Sequence, residues 1–254
     1  MTGQLLQIEH LTKRFGGVTA VDAISLELPR GEFHAIIGPN GAGKSTLIGL
    51  LAGEVAAEAG TICFDGNDIT RLRVDRRSRL GLARSFQITS LFAEFSALDN
   101  VALAVQAHAG HSFHFWKNAR CDRVLREPAR AALAQVSLEA RANTRVDRLS
   151  HGEQRQLEIA IALATGPRLL LLDEPMAGLG PEESARMQDM LSRLKGGMTV
   201  LLVEHDMETV FALADRVTVL VYGRVIASDE PAAIRADPAV REAYLGEQEA
   251  RGHD

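Results

Sequence analysis

The chain has 254 residues, of which 46% are hydrophobic, and a formal net charge of −5 at pH 7. This length can bury a full core, and the acidic balance argues against a chain-wide nucleic-acid surface, which would normally be basic. The two cysteines, Cys63 and Cys121, lie far apart and predict neither a disulfide framework nor a CxxC metal site, so a reducing cytosol is the natural setting.

The N-terminal part is rich in strand signals. Residues 5–68 alternate short β-rich runs with turn signals such as Arg30-Gly31 and Asp65-Gly66. This pattern predicts an N-terminal sublobe of antiparallel strands. Within it, residues 33–37 predict a short buried strand and residues 46–51 predict a helix.

A glycine-rich loop connects this strand to this helix. It reads Gly38-Pro39-Asn40-Gly41-Ala42-Gly43-Lys44-Ser45 and is followed by Thr46. Its glycines let successive backbone N–H groups curl around the α- and β-phosphates, while Lys44 reaches the β/γ oxygens and the Ser45 hydroxyl coordinates Mg²⁺. The N-terminus of the following helix also favours anions. The loop therefore predicts binding of a nucleoside triphosphate with Mg²⁺.

The middle of the chain has a different composition. Residues 80–149 are rich in alanine, leucine and arginine with few strand signals, which predicts an inserted helical lobe. An arginine cluster just before it is interpreted as a solvated face, because Asp75 lies within it and the chain is acidic overall. Its members are Arg71, Arg73, Arg76, Arg77 and Arg79. A metal site at His108, His111 and His114 is not expected, because Gly110 interrupts the run and no cysteine or carboxylate completes a site.

Strands and helices alternate in the remainder. Residues 157–164 have helical spacing and end before Gly166-Pro167, and residues 169–172 predict a buried strand. A second helix opens at Pro181 and buries methionine and leucine side chains, and residues 199–203 and 217–221 supply further strands. The alternation predicts an α/β fold with a mainly parallel core sheet, an N-terminal antiparallel β sublobe and an inserted helical lobe.

Two carboxylates follow the strand at residues 169–172. Open α/β sheets bind ligands at such strand tips. We expect Asp173 to hold Mg²⁺ and Glu174 to orient and deprotonate the attacking water. A salt-bridged strand end is the alternative for this pair.

The segment Leu149-Ser150-His151-Gly152-Glu153-Gln154 resembles the signature motif of ATP-binding cassette (ABC) transporter ATPases. It lies between the glycine loop and the Asp173 strand, which is the order of that family, and the resemblance covers nearly the whole chain. It implies a P-loop NTPase fold and ATP hydrolysis. It also implies that Gln87 is the Q-loop glutamine, His205 is the switch histidine, and Phe15 stacks on adenine with Val18 supporting it.

The resemblance and the residue chemistry together define a predicted site. The catalytic residues are Glu174, His205 and Gln87. The Mg²⁺ contacts are Ser45, Gln87 and Asp173. The ATP contacts are Phe15, Val18, Gly38, Pro39, Asn40, Gly41, Ala42, Gly43, Lys44, Ser45, Thr46, Ser150, Gly152 and Glu153.

Ser150 and Glu153 also form the S-x-x-E pattern of a capping box, so the signature segment predicts a helix start. Such an N-terminus, with Gly152 permitting close approach, is an anion site. The resemblance implies that it faces the γ-phosphate bound by a second copy. Two departures from the family pattern are His151, where glycine is most common, and Gly180, where the loop after the catalytic glutamate often carries aspartate.

The subgroup is indicated by Arg84-Ser85-Phe86-Gln87, the Leu-Ser-His-Gly-Glu signature at residues 149–153, Glu204-His205-Asp206-Met207, and the ending at residues 237–246, which closes with Tyr244-Leu245-Gly246. These resemble importers of branched-chain amino acids, while urea or amide importers and lipopolysaccharide exporters remain open. In a different class, a soluble ABC module acting on DNA or ribosomes also stays open. The favoured reading implies one ATPase domain at residues 5–246, a helical lobe inserted at about 88–150, and a polar tail at 247–254.

The same resemblance implies partners. They are a second ATPase subunit, two integral-membrane permease subunits, and a solute-binding protein contacted only through the permeases, with no nucleic acid. No apolar run approaches the ~20 residues of a membrane helix. The resemblance implies that the chain lies at the cytoplasmic face of the cell membrane, held by the permeases. Residues 91–116 are expected to form the docking surface for the permease subunits, because aromatic side chains concentrate there. These aromatics are Phe92, Phe95, Phe113, Phe115 and Trp116. A self-contained helical core is the alternative.

Overall fold

The computed structural model describes residues 3–85, 91–109 and 123–243. The helices are α1 (Lys44–Ala52), α2 (Val74–Arg79), α3 (Ala97–His108), α4 (Arg123–Gln135), α5 (His151–Leu163), α6 (Pro181–Leu194), α7 (Met207–Leu213) and α8 (Pro231–Ala236). The strands are β1 (Gln4–Phe15), β2 (Val18–Pro29), β3 (Phe33–Ile37), β4 (Ala59–Phe64), β5 (Asn67–Asp68), β6 (Leu82–Arg84), β7 (Leu169–Asp173), β8 (Thr199–Val203), β9 (Arg216–Val221) and β10 (Arg224–Asp229). Within the described ranges, no helix has the length and apolarity to cross a membrane.

The chain divides into two compact units. Of the described residues, the core unit contains 3–77, Leu171–Glu174 and 194–243. The helical unit contains the described residues between Ser78 and Leu170, together with Pro175–Arg193.

The N-terminal strands of the core unit form an antiparallel sheet in the order β2-β1-β4-β5. Leu6 on β1 is opposite Leu28 on one side and Phe64 on the other, and all three side chains are fully buried. Cross-strand apolar contacts of this kind stabilise the sheet. The predicted antiparallel strands are therefore confirmed, and they form a sheet of their own.

A second sheet of the core unit carries the strand before the glycine loop, in the order β10-β9-β3-β8-β7. β3 runs parallel to both neighbours, with Ile36 opposite Val203 on β8 and Thr218 on β9. All residues of β3, β7 and β8 are buried, as expected for strands covered on both faces. The predicted parallel core is confirmed. The edge strand β10 is antiparallel to β9 and was not identified from the sequence.

The helical unit packs α3, α4 and α5 around a shared apolar core. This core includes Leu98, Val101, Leu125, Leu133 and Leu157, which are all at most 5% exposed. β6 lies next to β7, whose first two residues also belong to this unit. The α6 side chains predicted to be buried, Met187, Met190 and Leu191, are at most 1% exposed.

The interpretation of the arginine cluster as a solvated face is wrong for Arg77, which is only 2% exposed. Its guanidinium donates hydrogen bonds to the carbonyl oxygens of Leu50 and Leu51, each at 2.7 Å, and to those of Thr70 and Leu72, each at 2.9 Å. Burial lowers the pKa of Arg77 to about 10. Because the last carbonyls of a helix lack intrahelical donors, Arg77 closes the C-terminal end of α1.

Candidate nucleotide site

The glycine loop between β3 and α1 is shaped by positions that exclude a side chain. Gly38 and Gly43 have φ values of 153° and 101°, and a Cβ on either residue would collide with a backbone carbonyl oxygen, that of Leu220 or Ala20. A Cβ on Gly41, at φ 78°, would meet no heavy atom of the described residues within 4 Å. The loop therefore follows a path that only glycine permits at two points, while its outer turn remains accessible.

Lys44 is the first residue of α1 and is folded back over the loop. Its side chain is 6% exposed, and Nζ donates to the carbonyl oxygens of Gly38 at 2.6 Å and Pro39 at 2.9 Å. The residue before it, Gly43, has no side chain with which to cap the helix, and α1 has no acidic residue in its first turn. The positive end of the helix dipole and the lysine cation therefore coincide at one point.

The two carboxylates predicted at the strand tip lie at the same sheet edge as the glycine loop. The N–H of Glu174 donates to the carbonyl oxygen of Val203 at 2.9 Å, and the N–H of Glu204 donates to that of Ile36 at 3.4 Å. Asp173 is 5% exposed. Glu174 has φ 48°, a left-handed conformation that non-glycine residues rarely adopt and that concentrates at functional sites.

His205 follows β8 at this same edge. Its side chain is 62% exposed, and its Nδ1 lies 3.6 Å from Oε2 of Glu204, which is fully buried. The same carboxylate oxygen accepts the His205 backbone N–H at 3.2 Å. Glu204 therefore restrains a histidine that remains exposed beside the carboxyl ends of β3 and β7.

Phe15 and Val18 form a pair across the turn between β1 and β2. They are 51% and 67% exposed, and Nζ of Lys13 lies 5.2 Å from the Phe15 ring centroid. Gly223 connects this hairpin to the glycine loop by two backbone hydrogen bonds. Its N–H donates to the carbonyl oxygen of Ala42 in the loop at 2.9 Å, and its carbonyl oxygen accepts the N–H of Asp22 on β2 at 2.8 Å. The sequence reasoning missed Gly223, although the Tyr222-Gly223 turn was a signal for it.

The signature segment lies in the helical unit, where it begins α5. Ser150 accepts the Glu153 N–H at 3.2 Å, and the Glu153 carboxylate accepts the Ser150 N–H at 2.8 Å, so the predicted capping box is present. Burial acts to raise the pKa of Glu153, but hydrogen bonds from Arg141 and the Ser150 N–H outweigh it, and the net pKa is lowered. Glu153 is therefore an ionised capping residue.

Glu183, in the first turn of α6, was missed by the sequence reasoning. Its Oε1 accepts the Ser150 hydroxyl at 2.9 Å and the Gly152 N–H at 3.2 Å. These hydrogen bonds, that from Ser150 foremost, lower the pKa of Glu183. The sequence predicted only that a helix begins at Pro181, and nothing in it indicated a contact with α5.

The two departures from the expected pattern lie in the helical unit. A Cβ built on Gly178 would be 3.8 Å from Cε1 of His151, so this imidazole lies against the loop that follows Glu174. A Cβ on Gly180 in that loop would meet nothing within 4 Å in the part of the chain that the structure describes.

Some predicted residues lie outside the described ranges. Among them are Gln87, Phe113, Phe115, Trp116, and the histidines His111 and His114. His108 is the last residue of α3.

A glycine loop with a buried lysine, beside two carboxylates and a histidine at one parallel-sheet edge, defines a P-loop nucleotide-hydrolysing protein. The family model described as ABC transporter matches residues 21–177, and one described as branched-chain amino acid ATP-binding cassette transporter matches residues 224–250. The chain belongs to the ABC transporter family of ATP-binding proteins, which hydrolyse ATP.

Individual proteins agree with this assignment. The chain is 38% identical to the high-affinity branched-chain amino acid transport ATP-binding protein BraF of Pseudomonas aeruginosa, over 97% of this chain and 100% of BraF. Its structure resembles the ADP conformation of the ATP-binding cassette MJ1267, with a TM-score of 0.85 at 30% identity, covering 96% of this chain and 100% of MJ1267. It also resembles a dimeric post-hydrolysis state of the cassette MJ0796 bound to ADP and Pi, with a TM-score of 0.74 at 26% identity, covering 89% and 98%.

Proposed function

We propose that this chain is the ATP-hydrolysing subunit of an importer of branched-chain amino acids, held by permease subunits at the cytoplasmic face of the cell membrane. The observation that carries the hydrolytic part is the shared sheet edge, where the Lys44 loop, Glu174 and His205 follow β3, β7 and β8. The substrate class is supported by the C-terminal family match at residues 224–250 and by the similarity to BraF.

The phosphates of ATP bind at the start of α1. The loop N–H groups surround the α- and β-phosphates, and Lys44 exchanges a contact with the Gly38 or Pro39 carbonyl for the β- and γ-phosphate oxygens. The exposed ring of Phe15, supported by Val18, stacks on adenine, because the hairpin that carries both residues is tied to this loop through Gly223.

The available donors suit Mg²⁺. The Ser45 hydroxyl and the buried Asp173 carboxylate are hard oxygen ligands of the kind that Mg²⁺ prefers beside substrate phosphates. When bound, Mg²⁺ neutralises charge on the phosphates, and Gln87 is a further proposed contact. Ser45 and Asp173 would hold the ion beside the phosphates, and the Lys44 side chain contributes a second positive charge there.

Hydrolysis proceeds by attack of water on the γ-phosphorus. Glu174 accepts a proton from that water as its oxygen forms the new bond and the bond to the β-phosphate oxygen breaks. His205 donates a hydrogen bond to the γ-phosphate, which stabilises the charge that spreads over its oxygens in the transition state. The products are ADP and inorganic phosphate.

Two copies act together in the proposal. The N-terminal tip of α5, with Ser150 and Gly152, binds the γ-phosphate held by the glycine loop of the other copy, so ATP joins the subunits and its cleavage separates them. The similarity to MJ0796, whose structure is a dimeric post-hydrolysis state, supports the association of two copies. Closing and opening drive the permeases between conformations.

The permeases dock on the helical unit at Phe92 and Phe95. These rings are 57% and 40% exposed and stack with centroids 5.4 Å apart. Asn100 restrains the Phe92 backbone, accepting its N–H at 2.8 Å and donating to its carbonyl at 3.1 Å. An exposed aromatic pair on a restrained backbone is preorganised for an apolar partner.

The experiment reconstitutes this chain in proteoliposomes with the membrane proteins encoded next to it and their solute receptor. We expect leucine uptake that requires ATP and is lost with Lys44→Ala, while urea is not transported. ATP-driven transport of urea, or failure to transport any amino acid, would overturn the assignment of branched-chain amino acids as the substrate. Absence of ATP hydrolysis by the assembled complex would overturn the catalytic assignment.

A further inference from the structure

The tip of α5 already holds an anion within the same chain. The Oε1 atom of Glu183 accepts hydrogen bonds from both the Ser150 hydroxyl and the Gly152 N–H, which we call the donor pair. Both donors stand at the N-terminus of a helix of 13 residues, where the helix dipole favours negative charge.

The close approach of this carboxylate depends on Gly152. A Cβ at position 152 would lie 2.8 Å from Oε1 of Glu183 and 2.9 Å from its Cδ. The donor pair therefore stands in a cradle open enough for an anionic oxygen to reach the backbone, and an oxygen of Glu183 fills it.

Glu183 is not required to cap α5. The capping box is complete without it, since Ser150 and Glu153 satisfy each other's backbone N–H groups. Glu183 belongs to α6 and makes an additional, charge-assisted contact.

We propose that Glu183 is an internal competitor of phosphate: its carboxylate occupies the donor pair in the separate subunit and must leave before the γ-phosphate of a partner's ATP can bind there. This rests on the proposed two-copy ATP site. A carboxylate and a phosphate oxygen cannot accept from the same two donors at once, and they repel each other. Glu183 thereby sets the ATP concentration at which two copies close, and its return after phosphate release favours opening.

The test compares two glutamates in neighbouring positions of α6. Glu183→Gln and Glu182→Gln each remove one negative charge, but the Glu182 side chain is 92% exposed and its ion pair with Arg186 spans 3.8 Å. Both changes are made in a Glu174→Gln background, which slows ATP consumption. Analytical ultracentrifugation measures the dimer fraction against ATP concentration, and a fluorescent ATP analogue measures binding to the dilute monomer.

With Glu183→Gln we expect half-maximal dimerisation at a roughly tenfold lower ATP concentration, because two charged competitors are removed per dimer. Glu182→Gln should match the background, and monomer affinity for the analogue should be equal in all proteins. Dimerisation of Glu183→Gln at the same or a higher ATP concentration than the background overturns the proposal.

Two further arms separate the remaining outcomes. If thermal melting shows that Glu183→Gln does not fold, Glu183→Asp replaces it, because the shorter side chain withdraws from the donor pair. We expect Glu183→Asp to lower the ATP concentration needed for half-maximal dimerisation, and an unchanged concentration overturns the proposal. If the background protein binds the analogue but never dimerises with ATP, the two-copy site itself is refuted, and the competitor role falls with it.

Discussion

The backbone N–H of Glu174 donates to the carbonyl oxygen of Val203 over 2.9 Å, which keeps the proposed catalytic base level with the end of β8. Since β8 is paired in register with β3, this one hydrogen bond aligns Glu174 with the strand that leads into the glycine loop. The side chain of Glu174 takes no part in it. The residue can therefore lose its carboxylate and keep its position.

Glu174→Gln tests the assignment of the base. We expect ATP turnover to fall on the order of 10²-fold or more, because the amide cannot take the proton of the attacking water. ATP affinity and the urea midpoint should stay as in the wild type, since the bond to Val203 is a backbone bond. Steady-state phosphate release and equilibrium ATP binding check this, and near-normal turnover would contradict the assignment.

Gly38→Ala tests the shape of the glycine loop. The new Cβ would collide with the Leu220 carbonyl oxygen in a left-handed backbone conformation, so we expect a loss of unfolding free energy of about 2–4 kcal/mol. Gly41→Ala is the matched control, because Gly41 also has positive φ but no described atom lies where its Cβ would be. Its loss should be about 1 kcal/mol. Urea unfolding without nucleotide measures both, and equal losses would show that the collision is relieved elsewhere.

Arg77→Met tests whether Arg77 stabilises the C-terminal end of α1 by hydrogen bonding to its last carbonyl oxygens. Four carbonyl oxygens lose a buried, charged donor, so we expect a loss of about 2–4 kcal/mol in unfolding free energy. Arg76→Met serves as the control, because the Arg76 side chain is 65% exposed and its contact with Asp75 spans 4.0 Å. Comparable stability of the two variants in urea would refute the role of Arg77.

The parts of the site predicted from sequence are those encoded by local order. A buried strand, a glycine loop and a helix follow one another directly, so Lys44 could be placed before the structure was known. Arg77 could not, because α2 has six residues and a run of arginines has no apolar periodicity that would distinguish the buried one. Glu183 was missed for another reason: it contacts Ser150 across 33 positions, between two helices whose individual patterns do not encode their pairing.

Strand β10 shows a third limit. Its residues are exposed or half-buried and lack a continuous apolar run, and its antiparallel pairing with β9 follows from the Tyr222-Gly223 turn. Edge strands of this type have weak sequence signals, because only part of each strand contacts the core. Central strands β3, β7 and β8 have the opposite property and were predicted close to their observed bounds.

Glu158 gives the helical unit a pH-dependent contribution to stability. Burial raises the pKa of this carboxyl, against the opposing effect of its hydrogen bond from Arg155 at 3.0 Å. When the pKa of an acid is higher in the folded than in the unfolded state, the folded state binds the proton first as the pH falls. The free energy of unfolding therefore rises as the pH falls from above the folded-state pKa toward the unfolded value near 4.5. Wild type should therefore gain stability relative to Glu158→Gln over that interval. Urea unfolding of both proteins from pH 8 to pH 4.5 measures the gap, and a pH-independent gap would contradict the raised pKa.

Replacement of Phe92 and Phe95 tests the docking surface. Removing both rings deletes an exposed stacked pair whose outward faces contribute little to folding. In our proposal these faces contact the permease. For Phe92→Ala, Phe95→Ala we expect affinity for the membrane subunits to fall about tenfold or more, with ATP hydrolysis by the isolated chain unchanged. The control is Leu103→Ala, Val124→Ala, which removes two exposed apolar side chains of the same unit, 36% and 67% exposed. Titration of detergent-solubilised permeases measures affinity, and equal retention by both double variants would exclude this surface as the docking site.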